Sequence, residues 1–162
     1  LRGEILSLLP QLRGFARFLT GQAAQADDLV QETVLRALAA LDQFTPGTSM
    51  KAWLYTIARN LFYEQVRHGR RERDVMSDYA RRPDRPESDT GEGEADALRD
   101  LDGAIWRLSP RLREALVLVG VQEMTYAEAA HVCGVTVGTI KARVSRARSQ
   151  IMEYMTPPPE GG

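Results

Sequence analysis

Apolar residues recur along this chain at helical intervals, and no internal repeat or alternating strand pattern interrupts them. Residues 5–19 form an amphipathic stretch that Pro10 is expected to interrupt and Thr20-Gly21 to end. Asp27-Asp28 supplies an expected N-cap and dipole-favoured acids, after which Val30, Val34, Ala37, Leu38 and Leu41 follow until Phe44-Thr45-Pro46-Gly47 breaks the run. A long helix then starts near Ser49. Leu54, Ile57, Ala58 and Leu61 form its apolar stripe, and it continues into the arginines near Arg70. These elements predict a small helical bundle.

Between about Arg73 and Ala97 the periodicity stops, and Arg82-Pro83-Asp84-Arg85-Pro86-Glu87-Ser88-Asp89-Thr90-Gly91-Glu92-Gly93 has the polar, Pro/Gly-containing composition of a linker. Helical signals resume beyond it. Ser109-Pro110 reads as an N-cap with a first-turn proline, followed by Leu112, Ala115, Leu116 and Val119 at helical spacing. Thr125 and Glu128 make a capping box for a short helix that Gly134 can end in the left-handed conformation. A third helix follows, with Ile140, Val144, Ala147 and Ile151 on its buried side and Lys141, Arg143, Ser145, Arg146 and Arg148 elsewhere. Short helix, glycine-bearing turn and basic helix predict a helix-turn-helix. The fold class is therefore all-α, with a helical bundle over 1–72, an acidic flexible linker over 73–97, a helix-turn-helix bundle over 98–155 and a Pro/Gly tail over 156–162.

Composition agrees with two small domains, since 162 residues of which 43% are hydrophobic and 27% charged can build cores of that size. The formal net charge of −1 hides a segregation that matters more. Arg59, Arg67, Arg70, Arg71 and Arg73 crowd one stretch and Lys141, Arg143, Arg146 and Arg148 another, with an acidic run between them. No apolar run is long enough to span a bilayer and residues 1–9 lack a signal-peptide pattern, so no membrane insertion and a cytoplasmic location are expected. Cys133, His68 and His131 offer neither a disulfide, a spaced metal site nor a nucleophile with its base, and no glycine loop cradles a phosphate. No enzyme, cofactor or metal is expected.

Two surfaces carry the candidate chemistry. The basic helix from Val137 onward offers base-reading donors and phosphate-neutralising cations around a narrow anchoring stripe. In the first half, Trp53, Asn60 and Arg67 fall on one line, with Thr56 and Tyr63 between, so an aromatic, an amide, hydroxyls and a cation lie opposite the aliphatic stripe. Aromatics stack on unpaired bases, amides pair with base edges and arginines hold phosphates, which suits melting DNA. Packing of Trp53 and Tyr63 is the competing reading. Asp28, Gln31, Glu32 and Leu35 form a third surface, acidic and amide groups around an exposed leucine, fit for a basic partner helix or for plain solvation.

These residues carry a resemblance over nearly the whole chain. Asp27-Asp28-Leu29-Val30-Gln31-Glu32-Thr33, Ala52-Trp53-Leu54-Tyr55-Thr56-Ile57-Ala58-Arg59-Asn60, Thr125-Tyr126-Ala127-Glu128-Ala129-Ala130 and Val137-Gly138-Thr139-Ile140-Lys141-Ala142-Arg143-Val144-Ser145-Arg146-Ala147-Arg148 resemble bacterial extracytoplasmic-function sigma factors. Ala16-Arg17-Phe18-Leu19-Thr20-Gly21 and Pro46-Gly47-Thr48-Ser49-Met50-Lys51-Ala52-Trp53 further look like the subgroup that runs the alphaproteobacterial general stress response.

The resemblance implies a first domain that grips the clamp helices of core RNA polymerase and opens the minus-ten element, and a second that reads the minus-thirty-five element as duplex and meets the polymerase flap. It puts Asp28, Gln31, Glu32 and Leu35 on the polymerase face and Trp53, Thr56, Arg59, Asn60, Tyr63 and Arg67, with the loop from Phe44 to Met50, at the melted strand. Lys141, Ala142, Ser145 and Arg146 match base-facing positions, with Thr139, Arg143 and Arg148 nearer phosphates. Ala142 and Ser145 are small for that role. The resemblance also implies control by an anti-sigma factor that wraps both domains, and passage of the acidic linker through the polymerase RNA channel. Two rivals are a sigma-like decoy that captures an anti-sigma factor without binding DNA, which has no need of the four cations on the basic helix, and a dimeric helix-turn-helix regulator, which leaves the line from Trp53 to Arg67 without a job.

Overall fold

The computed structural model describes residues 1–73 and 92–156, and every regular element among them is helical. Helix α1 spans Arg2–Thr20, α2 Ala23–Ala39, α3 Met50–Arg73, α4 Glu92–Arg107, α5 Pro110–Leu116, α6 Tyr126–Cys133 and α7 Val137–Met155. Residues 74–91, most of the expected linker, and 157–162, most of the expected tail, lie outside the described residues. The side chains of Arg70, Arg71 and Arg73 lie outside them too.

Helices α1 to α3 pack as a bundle whose core includes Ile5, Leu12 and Phe15 from α1, Leu29 from α2 and Leu54, Tyr55 and Ala58 from α3. The rings of Phe15 and Tyr55 stack at 4.6 Å between centroids and 3° between planes. Two local expectations are corrected here. Pro10 does not interrupt α1, because it is exposed and the carbonyl four residues back, on exposed Leu6, can bond water in place of the missing N–H. Asp27 and Asp28 do not cap α2, which starts at Ala23 after Gln22 in an extended conformation. Gly21 ends α1 in the left-handed region (φ 76°), and the helix-favouring alanines that follow restart the spiral at once, bringing Ala26 and Leu29 onto α1. The acids sit one turn later, exposed.

In the second half the expected caps form. Ser109 Oγ accepts from the Leu112 N–H with Pro110 in the first turn, Thr125 and Glu128 exchange both capping-box bonds, and Gly134 ends α6 at φ 67°. Thr136 Oγ1 then accepts from the Thr139 N–H to open α7. Helix α7 buries Ile140, Val144 and Ala147, while Ile151 is half-buried. Leu108, Leu112 and Ala147 form a small cluster that ties α5 to α7, and the Arg107 guanidinium of α4 lies 3.9 Å from the centre of the Tyr154 ring.

Between α5 and α6 the chain widens into a π-helical turn over Val117–Val121. The Gln122 N–H donates to the Val117 carbonyl at 2.8 Å and the Met124 N–H to the Leu118 carbonyl at 3.0 Å, with Glu123 in the left-handed region (φ 58°) between them. This geometry turns the polar side chain of Gln122 inward, where it is buried. The two halves meet at that point. Helix α3 packs on α6 and α1 on α5, so one continuous set of buried residues runs through both.

Candidate DNA and polymerase interfaces

Helix α7 presents Lys141, Ala142, Ser145, Arg146 and Arg148 as exposed residues, with Arg143 and Thr139 half-buried at the margin. Its buried stripe fixes the helix against α4, α5 and α6, so the exposed arc of about half the circumference is held rigidly. Lys141 reaches across the turn, its Nζ 5.7 Å from the centre of the Tyr126 ring on α6. The hydroxyls of Thr136 and Thr139 are paired at 2.8 Å beside the first turn of α7. A short capped helix, a tight turn and an exposed basic helix of this kind can enter the major groove.

The line of α3 residues expected at a melted strand divides into two rows. Asn60 and Arg67 are exposed, Trp53 and Thr56 half-buried. Trp53 packs against Phe44 with centroids 5.2 Å apart, so it leans on the loop that precedes α3 while one part stays accessible. Thr56 Oγ1 donates to the Ala52 carbonyl at 2.7 Å. Arg59 and Tyr63 belong instead to a slanted row at four-residue spacing, Lys51, Tyr55, Arg59 and Tyr63, that faces the second half of the chain.

That row makes a polar seam. Arg59 Nε donates to Glu114 Oε1, Tyr63 OH donates to Glu114 Oε2 at 3.3 Å, and the Arg59 guanidinium lies 4.6 Å from the centre of the Tyr63 ring. Glu114 is only 3% exposed. Further along, Tyr55 OH donates to Gln122 Oε1 at 2.6 Å, Lys51 Nζ donates to the Gln122 carbonyl, and Gln122 Nε2 donates to the Gln11 carbonyl at 3.3 Å. On the other side Arg113 Nε donates to the Phe18 carbonyl at 3.3 Å and its guanidinium covers the Trp106 ring at 4.4 Å.

Burial governs the electrostatics of this seam. It pushes the Tyr63 hydroxyl up to about 12, with the Glu114 charge adding to the rise, and raises Tyr55 as well. It also lowers Arg113 and Lys51, the latter against the pull of Glu128 and Glu123. Burial alone would lower Arg59 too, but the hydrogen bond and charge of Glu114 outweigh it and hold the guanidinium above its ordinary value. Cys133, buried beside the same carboxylate, is pushed up to about 12 by its burial. Glu128 falls below the usual carboxylate range, chiefly through its backbone bond from Thr125.

Glu114, Gln122, Arg113 and Lys51 escaped the reading of the sequence. Their signal was present but weak, a charged pair set between Leu112 and Ala115 and a glutamine placed among Val121 and Met124. On α2, Asp28, Gln31, Glu32 and Leu35 all lie on the exposed side, with Leu35 67% exposed. Glu32 Oε2 accepts from Gln65 Nε2 at 2.9 Å, and Arg36 pairs with Glu64 at 3.8 Å, so an α2–α3 charge network borders the leucine. Among the described residues, no group of three His, Cys, Asp or Glu side chains could hold a metal ion, and no helix is long and apolar enough to cross a membrane.

A bundle joined to a helix-turn-helix with these two exposed polar helices defines a class: the chain belongs to the extracytoplasmic-function RNA polymerase sigma factors. Residues 5–72 match the model of Sigma-70 region 2 and residues 98–151 that of Sigma-70, region 4. The chain is 48% identical over 152 residues to the ECF RNA polymerase sigma factor EcfG of Rhodopseudomonas palustris, covering 93% of this chain and 82% of that protein. It is 36% identical over 143 residues to the probable RNA polymerase sigma-C factor of Mycobacterium bovis, covering 88% and 76%. Its structure superposes on the sigma factor RpoE of Bartonella quintana, solved in complex with the anti-sigma factor NepR, with a TM-score of 0.85, 40% identity and 94% of each chain covered.

Proposed function

We propose that this chain is an alternative sigma factor of the general stress response, a dissociable subunit that binds core RNA polymerase, directs it to specific promoters and is restrained by an anti-sigma factor. It performs no catalysis of its own. Region 2, over 1–72, docks on the polymerase clamp helices through Asp28, Gln31, Glu32 and Leu35, and opens the minus-ten element with Trp53, Thr56, Arg59, Asn60, Tyr63 and Arg67. Region 4, over 98–155, docks near the flap and reads the minus-thirty-five duplex. Lys141, Ala142, Ser145 and Arg146 face bases there, while Thr139, Arg143 and Arg148 neutralise phosphates.

The observation that carries the reading is the exposed basic arc of α7 held on a buried stripe of Ile140, Val144 and Ala147. A decoy that only captures an anti-sigma factor has no use for such an arc, because a cationic face without DNA brings only self-repulsion. Transcription in vitro with core polymerase tests the proposal. Promoter-specific initiation is expected; core-independent operator binding, or binding to neither core nor DNA, refutes it.

A further inference from the structure

We infer that region 4 acts as an internal competitor for the minus-ten strand, with the Glu114 carboxylate occupying on Arg59 and Tyr63 the place that a DNA phosphate takes when the domains part. The inference rests on the reading of Arg59 and Tyr63 as minus-ten contacts. The geometry behind it is the seam: Arg59 and Tyr63, both from region 2, donate to the two oxygens of Glu114, with the Cys133 thiol of α6 beside the same carboxylate. A carboxylate this buried is costly unless paired, so the closed arrangement depends on Arg59 and Tyr63 being turned away from DNA.

A carboxylate and a phosphate present the same thing to a guanidinium, a compact anion that accepts charge-assisted hydrogen bonds, so each can replace the other on Arg59. Tyr63 follows, since its hydroxyl donates to the same carboxylate. The remaining seam contacts suit an interface that opens. Around the apolar core that the two halves share, Gln122, Lys51, Arg113 and Glu114 are polar groups that recover hydrogen bonds to water on separation, which offsets part of the cost of parting. Asn60, Arg67 and the α2 face lie outside the seam and stay accessible in the closed state. Region 2 can therefore dock on polymerase before region 4 lets go of Arg59.

The test uses the full chain with Glu114→Gln and, at the far end of the seam, Gln122→Ala, so that a folding defect in one leaves the other informative. Compactness is read by small-angle scattering. Capture of DNA is read by the anisotropy of a fluorescent single strand carrying the minus-ten element of a transcribed promoter, added to the free chain and to the holoenzyme. Both variants should expand, and the free chain should bind the strand more tightly by on the order of tenfold, as loss of a charge-assisted bond in the closed state alone predicts. Adding Arg59→Ala to Glu114→Gln should cancel the gain. Variants that stay as compact as the wild type overturn the latch, and expanded variants without tighter strand binding, or a gain that survives Arg59→Ala, overturn the competition. A wild-type holoenzyme that cannot bind the strand at all overturns the minus-ten reading itself, and the scattering arm still reports separately whether Glu114 holds the seam.

Discussion

Replacing Asn60 with alanine tests the proposed capture of the melted strand apart from every other role of α3. The residue is exposed and its side chain makes no hydrogen bond with any described residue, so its loss leaves no buried group unpaired and removes no core contact. Global stability should therefore change by no more than about 0.5 kcal/mol. The melted strand loses an amide that can both donate and accept, and truncation of a side chain that holds an unstacked base costs about 1 to 3 kcal/mol, or roughly 5- to 150-fold in open complexes. Neighbouring Arg59 is no substitute for this test, because its removal also breaks the pair with Glu114 and mixes two effects of opposite sign. The assay compares mutant and wild-type holoenzyme on a fully paired promoter and on one with a pre-melted minus-ten bubble, scoring permanganate-reactive thymines. Loss on the paired template with partial rescue by the bubble is expected, since the bubble supplies the unstacking that capture must otherwise drive. Equal activity on both templates would falsify the assignment and leave Asn60 a solvated helix residue.

On α7, Arg146→Ala should weaken minus-thirty-five binding by about 1 to 3 kcal/mol and relax preference at one or two base positions, while Arg148→Ala weakens all sequences alike; a base-scanned profile unchanged by Arg146→Ala refutes the distinction. Gln31→Ala with Glu32→Lys should lower affinity for core polymerase while the melting temperature holds, because both side chains are exposed and Glu32 gives up only its bond from Gln65; unchanged core binding across a salt series removes the polymerase-face assignment. Alkali should loosen the chain. Burial raises Cys133 from 9.0 and Tyr63 from 10.0, each to about 12, so the folded form keeps protons that the unfolded chain releases. Their contribution is full below about pH 9 and is lost as pH climbs through about 12. Melting temperature should fall over that window and fall less for Cys133→Ala, whereas a flat profile in both refutes the linkage.

Local chemistry along the chain settles the all-helical class, the helix-turn-helix and the caps at Ser109 and Thr125, because each depends on contacts within a few residues. The exposed faces of α2 and α7 are legible for the same reason, as apolar periodicity says which side of a helix turns inward. Two local rules gave way to other local chemistry: α1 runs through Pro10, where water can take the place of the missing donor, and α2 starts a turn before its acids because alanines restart the spiral after Gly21. The division of α3 was invisible in one dimension. Periodicity separates an apolar stripe from a polar face, but it cannot tell which flank of that face meets water and which meets another helix from about fifty residues away. Arg59 and Tyr63 read as DNA contacts alongside Asn60, and only the approach of α5 gives them a second partner. Glu114 and Gln122 acquire a meaning at that same moment, since a buried carboxylate and amide are intelligible only through the groups that satisfy them, and those groups lie on the far side of the linker.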